Sequence, residues 1–290
     1  MPTPQAPPHH GVSPLTGLRI SSGHTEFPEA CGSDAPGIPQ FDFDGQTRIH
    51  GAAVDIGADE WWASISDAKE AAQGSIELSG EVVTAAFPGF FYVESLNRAS
   101  GMRVEKADHG MSVGVRANVT GPVQTSANGE RCIAAESVSQ IGSGSVLPLA
   151  MNNASLGGGA FGLQHGIWGW HTTNVGGAWT PVWSQACGLN NIGLLVRVCG
   201  KVTLAGRGWF YIDDGSRISD GSGVLGVYVN APGLTAPPKD AIVSVTGISS
   251  CDIYLGSPVN ALLPRAQTDI ELLPSPLDRP AKVEAASLQS

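Results

Sequence analysis

The same order of short strands and glycine turns occurs twice in this 290-residue chain. The string SGEVVTAAFPGFFYVE (residues 79–94) parallels CGKVTLAGRGWFYID (residues 199–213). Because the order and approximate spacing of several blocks agree, an internal repeat is favoured over chance similarity. The matched residues are Gly80 with Gly200, Gly89 with Gly208, Phe91-Tyr92 with Phe210-Tyr211, and Val119-Thr120-Gly121 with Val245-Thr246-Gly247.

Each repeat predicts about five short strands, marked by alternating apolar and polar residues. Gly80 lies inside the first of them, and a glycine there is typical of a bulge or a bend at a barrel corner. A five-stranded sheet of this length can close into a small Greek-key barrel, which removes its exposed edges. We therefore expect an all-β protein with two tandem five-stranded OB-like barrels and an irregular N-terminal arm.

Composition agrees with short strands and limits the classes of function. Gly (38) and Pro (20) are abundant and 14% of residues are charged, which suits strands joined by turns better than long surface helices. The formal net charge of -10 disfavours nucleic-acid binding, including single-stranded binding on an OB face. No stretch approaches the roughly 20 apolar residues of a membrane span, and residues 1–10 lack the apolar core of a secretory signal.

Composition along the chain predicts a division into segments, with residues 66–73 as a short linker. The segments are an irregular Pro/Gly-rich arm (1–40), a segment of short strand-like pieces (41–65), barrel one (74–140), a Gly/Trp/His-rich insert (141–190), barrel two (191–272) and a C-terminal tail (273–290).

Several strings of the chain resemble known repeats. The strings GLNNIGLLVRVCGKV (188–202), GWFYIDDGSRISDGSGVLGVYV (208–229) and AIVSVTGISS (241–250) resemble the OB-fold repeats at the C-termini of large secreted bacterial proteins. The string DFDGQTRIHGAAVDIGADE (42–60) resembles the closing segment of parallel β-helix domains in such proteins. The resemblance implies a fold and an extracellular or cell-surface location, and it carries no defined reaction.

A cluster of tryptophans in the insert is the first candidate site. Exposed tryptophans can stack against sugar rings or other flat ligands. The alternative is that these rings pack between the two barrels as an interdomain core. The residues are Trp168, Trp170, Trp179 and Trp183.

The outer face of strands 2 and 3 is the usual ligand surface of an OB domain. Strand alternation predicts that Phe91 and Phe210 point inward. The predicted outward set is Phe90, Tyr92, Trp209 and Tyr211, with Arg103 and Tyr228 on strand 3.

Calcium is the only cofactor that the sequence suggests. Asp213, Asp214 and Asp220 offer hard oxygen ligands within one loop, although their spacing is not that of an EF-hand. The alternative is a hairpin loop that uses Asp and Gly for turn geometry. A second acidic group, open to the same two interpretations or to acid–base chemistry, is Asp42, Asp44, Asp55, Asp59 and Glu60.

Evidence for catalysis is weak, because the chain has no G-x-S-x-G motif. Ser143 and Ser145 lie near His165 and His171 in sequence, so an unconventional Ser–His pair is one hypothesis. The alternative is a Gly/Ser linker at the exit of barrel one. His109 is expected to be an exposed turn residue.

The five cysteines include no CxxC pair, which argues against a structural zinc site. Cys199 and Cys251 fall on strands 1 and 4 of barrel two, which neighbour each other in OB barrels, so they are the favoured disulfide.

Two functions remain open from the sequence. The first is a non-catalytic extracellular module that contacts carbohydrate or protein through exposed aromatic rings. The second is an unusual hydrolase of an ester, lactone or glycoside, with or without calcium.

Overall fold

The computed structural model describes residues 49–50, 53–54, 63–175, 178–186 and 188–274. The chain divides into two compact units, residues 1–61 and 62–290. In the first unit, strand β1 (Ile49–His50) pairs antiparallel with strand β2 (Ala53–Val54). The predicted arm, most of the 41–65 segment with its acidic group, and nearly all of the tail lie outside the described residues.

The second unit begins with a short helix, α1 (Ile65–Glu70), where the sequence predicted a linker. Ser64 accepts a hydrogen bond from the backbone N–H of Asp67, and the Asp67 carboxylate accepts one from the backbone N–H of Ser64. This reciprocal capping box satisfies donors at the helix start. Ile65 and Ala68 are buried, so the helix also covers one end of the first apolar core.

The first sheet is a closed ring of five strands with a sixth strand added to it. Pairing runs β3–β4–β5–β7–β6 and returns from β6 to β3, while β8 pairs with β6. All pairs are antiparallel except β5 with β7. The strands are β3 (Ser75–Phe87), β4 (Phe90–Glu94), β5 (Gly101–Glu105), β6 (Val115–Thr125), β7 (Arg131–Ala134) and β8 (Ser137–Ser143).

The second sheet closes in the same way after a two-stranded hairpin. Pairing runs β12–β13–β14–β16–β15 and returns to β12, with β14–β16 parallel, and with β9 and β17 added outside the ring. The strands are β9 (Leu149–Ala150), the hairpin β10 (Trp168–Val175) and β11 (Ala178–Gln185), β12 (Leu195–Gly206), β13 (Trp209–Asp213), β14 (Val227–Asn230), β15 (Ile242–Tyr254), β16 (Ser257–Leu263) and β17 (Ile270–Leu273).

The predicted all-β class is therefore confirmed, with a closed five-stranded barrel. Gly80 has a φ of 70°, and the register between β3 and β6 shifts between Leu78 and Glu81. The predicted irregularity at Gly80 is thus present. Phe91 and Phe210 are fully buried in two separate apolar cores, as strand alternation predicts.

The predicted disulfide between Cys199 and Cys251 is wrong, because both thiols are free. Cys199 lies opposite Ser244, whereas Cys251 lies farther along β15 and pairs with Asn260 on β16. Strands 1 and 4 are neighbours as expected, but their shared register ends at Ile248. Within the described ranges, no helix is long and apolar enough to cross a membrane.

The two rings meet at a close backbone approach between Gly101 and Gly193. A Cβ added to Gly101 would lie 2.3 Å from the carbonyl oxygen of Gly193. At Gly142, on β8, an added Cβ would have no heavy atom within 4 Å.

We predict that Gly101→Ala lowers the free energy of unfolding by about 1–3 kcal/mol, since a methyl group against backbone forces the strands apart. Urea denaturation of both variants measures this, with Gly142→Ala as the matched control at a site with free space. Equal unfolding midpoints for Gly101→Ala, Gly142→Ala and the wild type would show that the close approach does not exist.

Candidate functional site

Three tryptophan rings form an aromatic cluster on the β10–β11 hairpin. Trp170 lies directly opposite Trp183, and Trp168 lies two residues before Trp170, so the three share one face. The ring centroids of Trp168 and Trp183 are 6.3 Å apart at 24°, and those of Trp170 and Trp183 are 5.7 Å apart at 60°. Trp179 pairs with Asn174 through its backbone, and its side chain lies outside the described part.

These rings are accessible to solvent to different degrees. Trp170 is 42% exposed, and Trp168 and Trp183 are half-buried. Contact between their own rings accounts for part of the burial. The three described rings are therefore not sealed between the two barrels, which was the alternative considered from the sequence.

The opposite face of the hairpin packs against barrel two. His171, Gly169 and Trp168 line a cavity of about 10 Å3 together with Leu156, Ser219 and Asn260. The Nε2 atom of His171 is buried and has no hydrogen-bond partner among the described residues, and burial lowers the His171 pKa. The His171 side chain thus lies on the packed side of the hairpin, and Trp168, which borders the same cavity, is only partly open to solvent.

The hairpin is joined to the loop of residues 213–223 by backbone pairing. The N–H of Trp170 donates to the carbonyl of Ser219 at 2.7 Å, and the N–H of Ser219 donates back at 3.1 Å. This pairing fixes the tryptophan face next to barrel two.

The three acidic side chains of that loop bind protein groups. Asp213 accepts from the N–H of Arg217, and Asp214 accepts from the N–H groups of Asn153 and Ser216. Asp220 accepts from the hydroxyl of Tyr211 at 2.7 Å and from the N–H of Ser222. Across the described residues, no group of three or more His, Cys, Asp or Glu side chains is arranged to hold a metal ion. These contacts are those of the turn-forming alternative.

The second aromatic group lies on the outer face of β13 and β14. Ring centroids are 6.1 Å apart for Trp209 and Tyr211, 6.4 Å for Trp209 and Tyr228, and 5.4 Å for Tyr211 and Tyr228. Trp209 and Tyr228 are half-buried. Tyr211 is only 7% exposed, so its predicted exposure to solvent is wrong. The Tyr211 hydroxyl donates a hydrogen bond to Asp220, and burial raises the Tyr211 pKa.

The corresponding face of barrel one is covered, which corrects the predicted exposure of Tyr92. Tyr92 is 0% exposed, because barrel two packs over it through Leu195 and Ile248. The Tyr92 hydroxyl donates to the buried carboxylate of Glu130, with oxygen–oxygen distances of 2.8 and 3.0 Å. Burial, followed by the Glu130 charge, raises the Tyr92 pKa.

Glu130 connects both barrels. Ser250, on β15 of the second ring, donates its hydroxyl to Glu130, and the Arg103 guanidinium lies 3.8 Å from the same carboxylate. Burial raises the Glu130 pKa, and the Ser250 hydrogen bond and the Arg103 charge oppose that rise. The role of Glu130 could not be predicted from the sequence, since a lone Glu in the turn before a short strand carries no signal of burial.

A cleft of about 150 Å3 remains between the barrels beside this contact. The Arg103 guanidinium stacks 3.6 Å from the centre of the Phe90 ring, and Arg103 also pairs with Glu105 at 3.2 Å. The cleft is lined by Phe90, Arg103, Asn128, Asn230, Ser250, Cys251, Asp252, Ala261 and Leu263.

The structure does not bring the candidate catalytic residues into a constellation. Ser143 and Ser145 are exposed at the end of β8 and just beyond it, and His165 is exposed in the insert. In the described ranges, no hydrogen bond joins either serine to His165 or His171. His109 is half-buried rather than exposed, because its ring packs on Phe91 and bonds backbone atoms of Phe87 and Met111.

Comparisons of the chain with protein-family models, with curated proteins and with solved structures found no match. The argument for a binding site therefore rests on the geometry described above.

Glu94 is a buried carboxyl at the same interface. It is 0% exposed, its Oε2 accepts the N–H of Leu195 at 2.7 Å, and its Oε1 has no partner among the described residues. Burial raises the Glu94 pKa to about 7, opposed by that hydrogen bond and by the Arg98 charge. The folded protein therefore favours the protonated carboxyl.

We predict that Glu94→Gln removes a pH-dependent loss of stability. Because the Glu94 pKa is higher in the folded chain than in the unfolded chain, Glu94 contributes its full stabilisation below about pH 4.5. This contribution to the free energy of unfolding is lost as the pH rises through about 7 and the folded carboxyl loses its proton. The stability of Glu94→Gln relative to the wild type should therefore increase from pH 4.5 to 8, by roughly 3 kcal/mol at most.

Urea denaturation of both proteins across this pH range measures the difference. Glu77→Gln, which removes an exposed charge from the neighbouring strand β3, is the control. A constant difference between Glu94→Gln and the wild type at every pH would contradict the raised Glu94 pKa.

Proposed function

We propose that this chain is a non-catalytic binding module that contacts carbohydrate or protein through the tryptophan face of the β10–β11 hairpin. The observation that carries the proposal is the cluster of Trp168, Trp183 and Trp170, in which the first two rings stack, Trp170 meets Trp183 edge to face, and Trp170 is open to solvent. Flat, stiff rings offer a large apolar area at low conformational cost, and the apolar face of a sugar ring matches them.

We also propose that the two rings are tandem OB-like repeats. Both follow one pairing order, with strands 1-2-3-5-4 closing on strand 1. A further likeness is a register shift at the same point of the first hairpin, between Val83 and Ala85 in one repeat and between Val202 and Leu204 in the other. This agreement supports duplication of one unit.

The proposed setting is extracellular or on the surface of a bacterial cell. It rests on the resemblance of residues 188–250 to repeats of secreted bacterial proteins.

We predict that Trp170→Ala weakens retention on immobilised neutral glycans about tenfold, because one stacking ring is lost. The wild type is expected to bind at least one member of a panel of cello-, xylo-, malto- and chito-oligosaccharides. Phe161→Ala is the matched control, since Phe161 is 37% exposed and belongs to neither aromatic group.

Two results would contradict the proposal. If the wild type binds no glycan on the panel, the carbohydrate form of the proposal is wrong. If Trp170→Ala binds as tightly as Phe161→Ala, the tryptophan face is not the contact surface. Circular dichroism of each variant verifies that the fold is retained.

A further inference from the structure

We propose that the tryptophan face is one end of a continuous aromatic surface, which crosses barrel two to the interbarrel cleft and binds an extended, neutral oligosaccharide chain. This inference rests on the proposed function, and it specifies the ligand class and the path of the ligand. We call the surface the aromatic track. Its members are Trp168, Trp170, Trp183, Tyr254, Tyr211, Tyr228, Trp209, Asn230 and the cleft residues Phe90 and Arg103.

The middle of the track joins the cleft through strand register. Trp209 lies opposite Asn230, and Tyr211 lies opposite Tyr228, which in turn lies opposite Ala261. Directly paired residues share a face of the sheet, so these five lie on the outer face of barrel two. Asn230 and Ala261 also line the cleft. The aromatic group of β13 and β14 is therefore contiguous with Phe90 and Arg103.

The other end of the track joins the hairpin through the loop of residues 213–223. Asp220 holds the Tyr211 hydroxyl, and its neighbour Ser219 pairs with Trp170. An added Cβ at Gly221 would lie 2.7 Å from the Tyr254 ring and 3.5 Å from the Trp183 ring. Both rings thus approach the same glycine, so the loop connects the hairpin tryptophans to the aromatic group of β13 and β14.

The charges along the track favour a neutral ligand. Asp252 is exposed beside Tyr228, and burial together with the charges of Asp252 and Asp220 raises the Tyr228 pKa. Arg103, at the cleft end, is neutralised by Glu105 at 3.2 Å and Glu130 at 3.8 Å. A phosphate- or carboxylate-bearing polymer would meet repulsion here, since the track supplies no unbalanced cation.

A carbohydrate fits these groups better than a peptide strand. The strands β13, β14 and β16 beneath the middle of the track are each paired on both edges, so a peptide could not extend along this part of the track by strand addition. Successive aromatic centroids within each group are 5.4–6.4 Å apart, and the polar side chains of Asn230 and Asp252 flank them. Rings that stack on apolar faces, beside groups that bond hydroxyls, suit a chain of sugars.

Titration calorimetry of neutral oligosaccharides of increasing length tests the track, using the linkage that the wild type binds best. We expect the wild type to bind a hexasaccharide at least tenfold more tightly than a disaccharide. Trp209→Ala and Asn230→Ala, which change β13 and β14 at the cleft end of the track, should weaken the hexasaccharide about tenfold and leave the disaccharide unchanged. Trp170→Ala should weaken both, and Phe161→Ala should weaken neither.

The outcomes separate this inference from the proposed function. If affinity does not depend on length, and Trp209→Ala and Asn230→Ala bind the hexasaccharide like the wild type, the track is wrong while the hairpin site stands. If carboxylated oligosaccharides bind more tightly than neutral ones, the neutral ligand class is wrong. If no oligosaccharide binds at all, the carbohydrate form of the proposed function fails and the track fails with it. Because Trp209→Ala and Asn230→Ala are both measured, misfolding of one variant still leaves the other to test the track.

Discussion

The contact between the two rings depends on one buried carboxylate. Glu130 accepts hydrogen bonds from Tyr92 of the first ring and from Ser250 of the second, with Arg103 nearby. Hydrogen bonds to a charged group contribute about 1.5–3 kcal/mol each, and an unpartnered buried charge is costly. Because Glu130 is satisfied only when both rings are in place, the polar network specifies their relative position as well as stabilising it.

The insert before barrel two adds a second set of hydrogen bonds near this contact. The buried amine of Lys69 donates to the side-chain oxygen of Asn190 at 3.2 Å, and Gln164 accepts from the N–H of Arg131. Burial lowers the Lys69 pKa to about 8, with the Glu130 charge opposing. These bonds connect α1 and β7 to the insert, so part of the predicted inter-barrel segment is packed structure. The hairpin is therefore presented from a fixed base.

Local pattern was sufficient to predict the fold class, the inward direction of Phe91 and Phe210, and the irregularity at Gly80. Each depends on strand alternation or on backbone freedom at a glycine. The exposure of Tyr92 could not be predicted in the same way. Alternation correctly turns Tyr92 away from its own core, but only the packing of the second ring decides whether that outer face meets water or protein. The predicted disulfide between Cys199 and Cys251 was wrong for a related reason. That two strands are neighbours does not determine which of their residues lie opposite each other.

The roles of the loop carboxylates also depend on tertiary contacts that the sequence does not reveal. An Asp in a glycine-rich loop can bind a cation or a backbone N–H with equal chemical ease. Here Asp213, Asp214 and Asp220 face N–H groups or a hydroxyl of the loop and its neighbours. Their arrangement follows from the tertiary position of Asn153 and Tyr211, which no local motif encodes.

Tyr92 and Tyr211 lie on the second strand of their rings, and the two rings surround them differently. Tyr92 and Tyr211 each donate to a buried carboxylate, Glu130 and Asp220 respectively. In the first ring that carboxylate also binds Ser250 of the other barrel, so the aromatic face is closed by protein. In the second ring, among the described residues, the Asp220 carboxylate accepts hydrogen bonds from Tyr211 and from Ser222 of its own loop, and that loop borders the tryptophan hairpin. Because this carboxylate does not draw the first ring over the outer face, Trp209 and Tyr228 beside Tyr211 remain half-exposed.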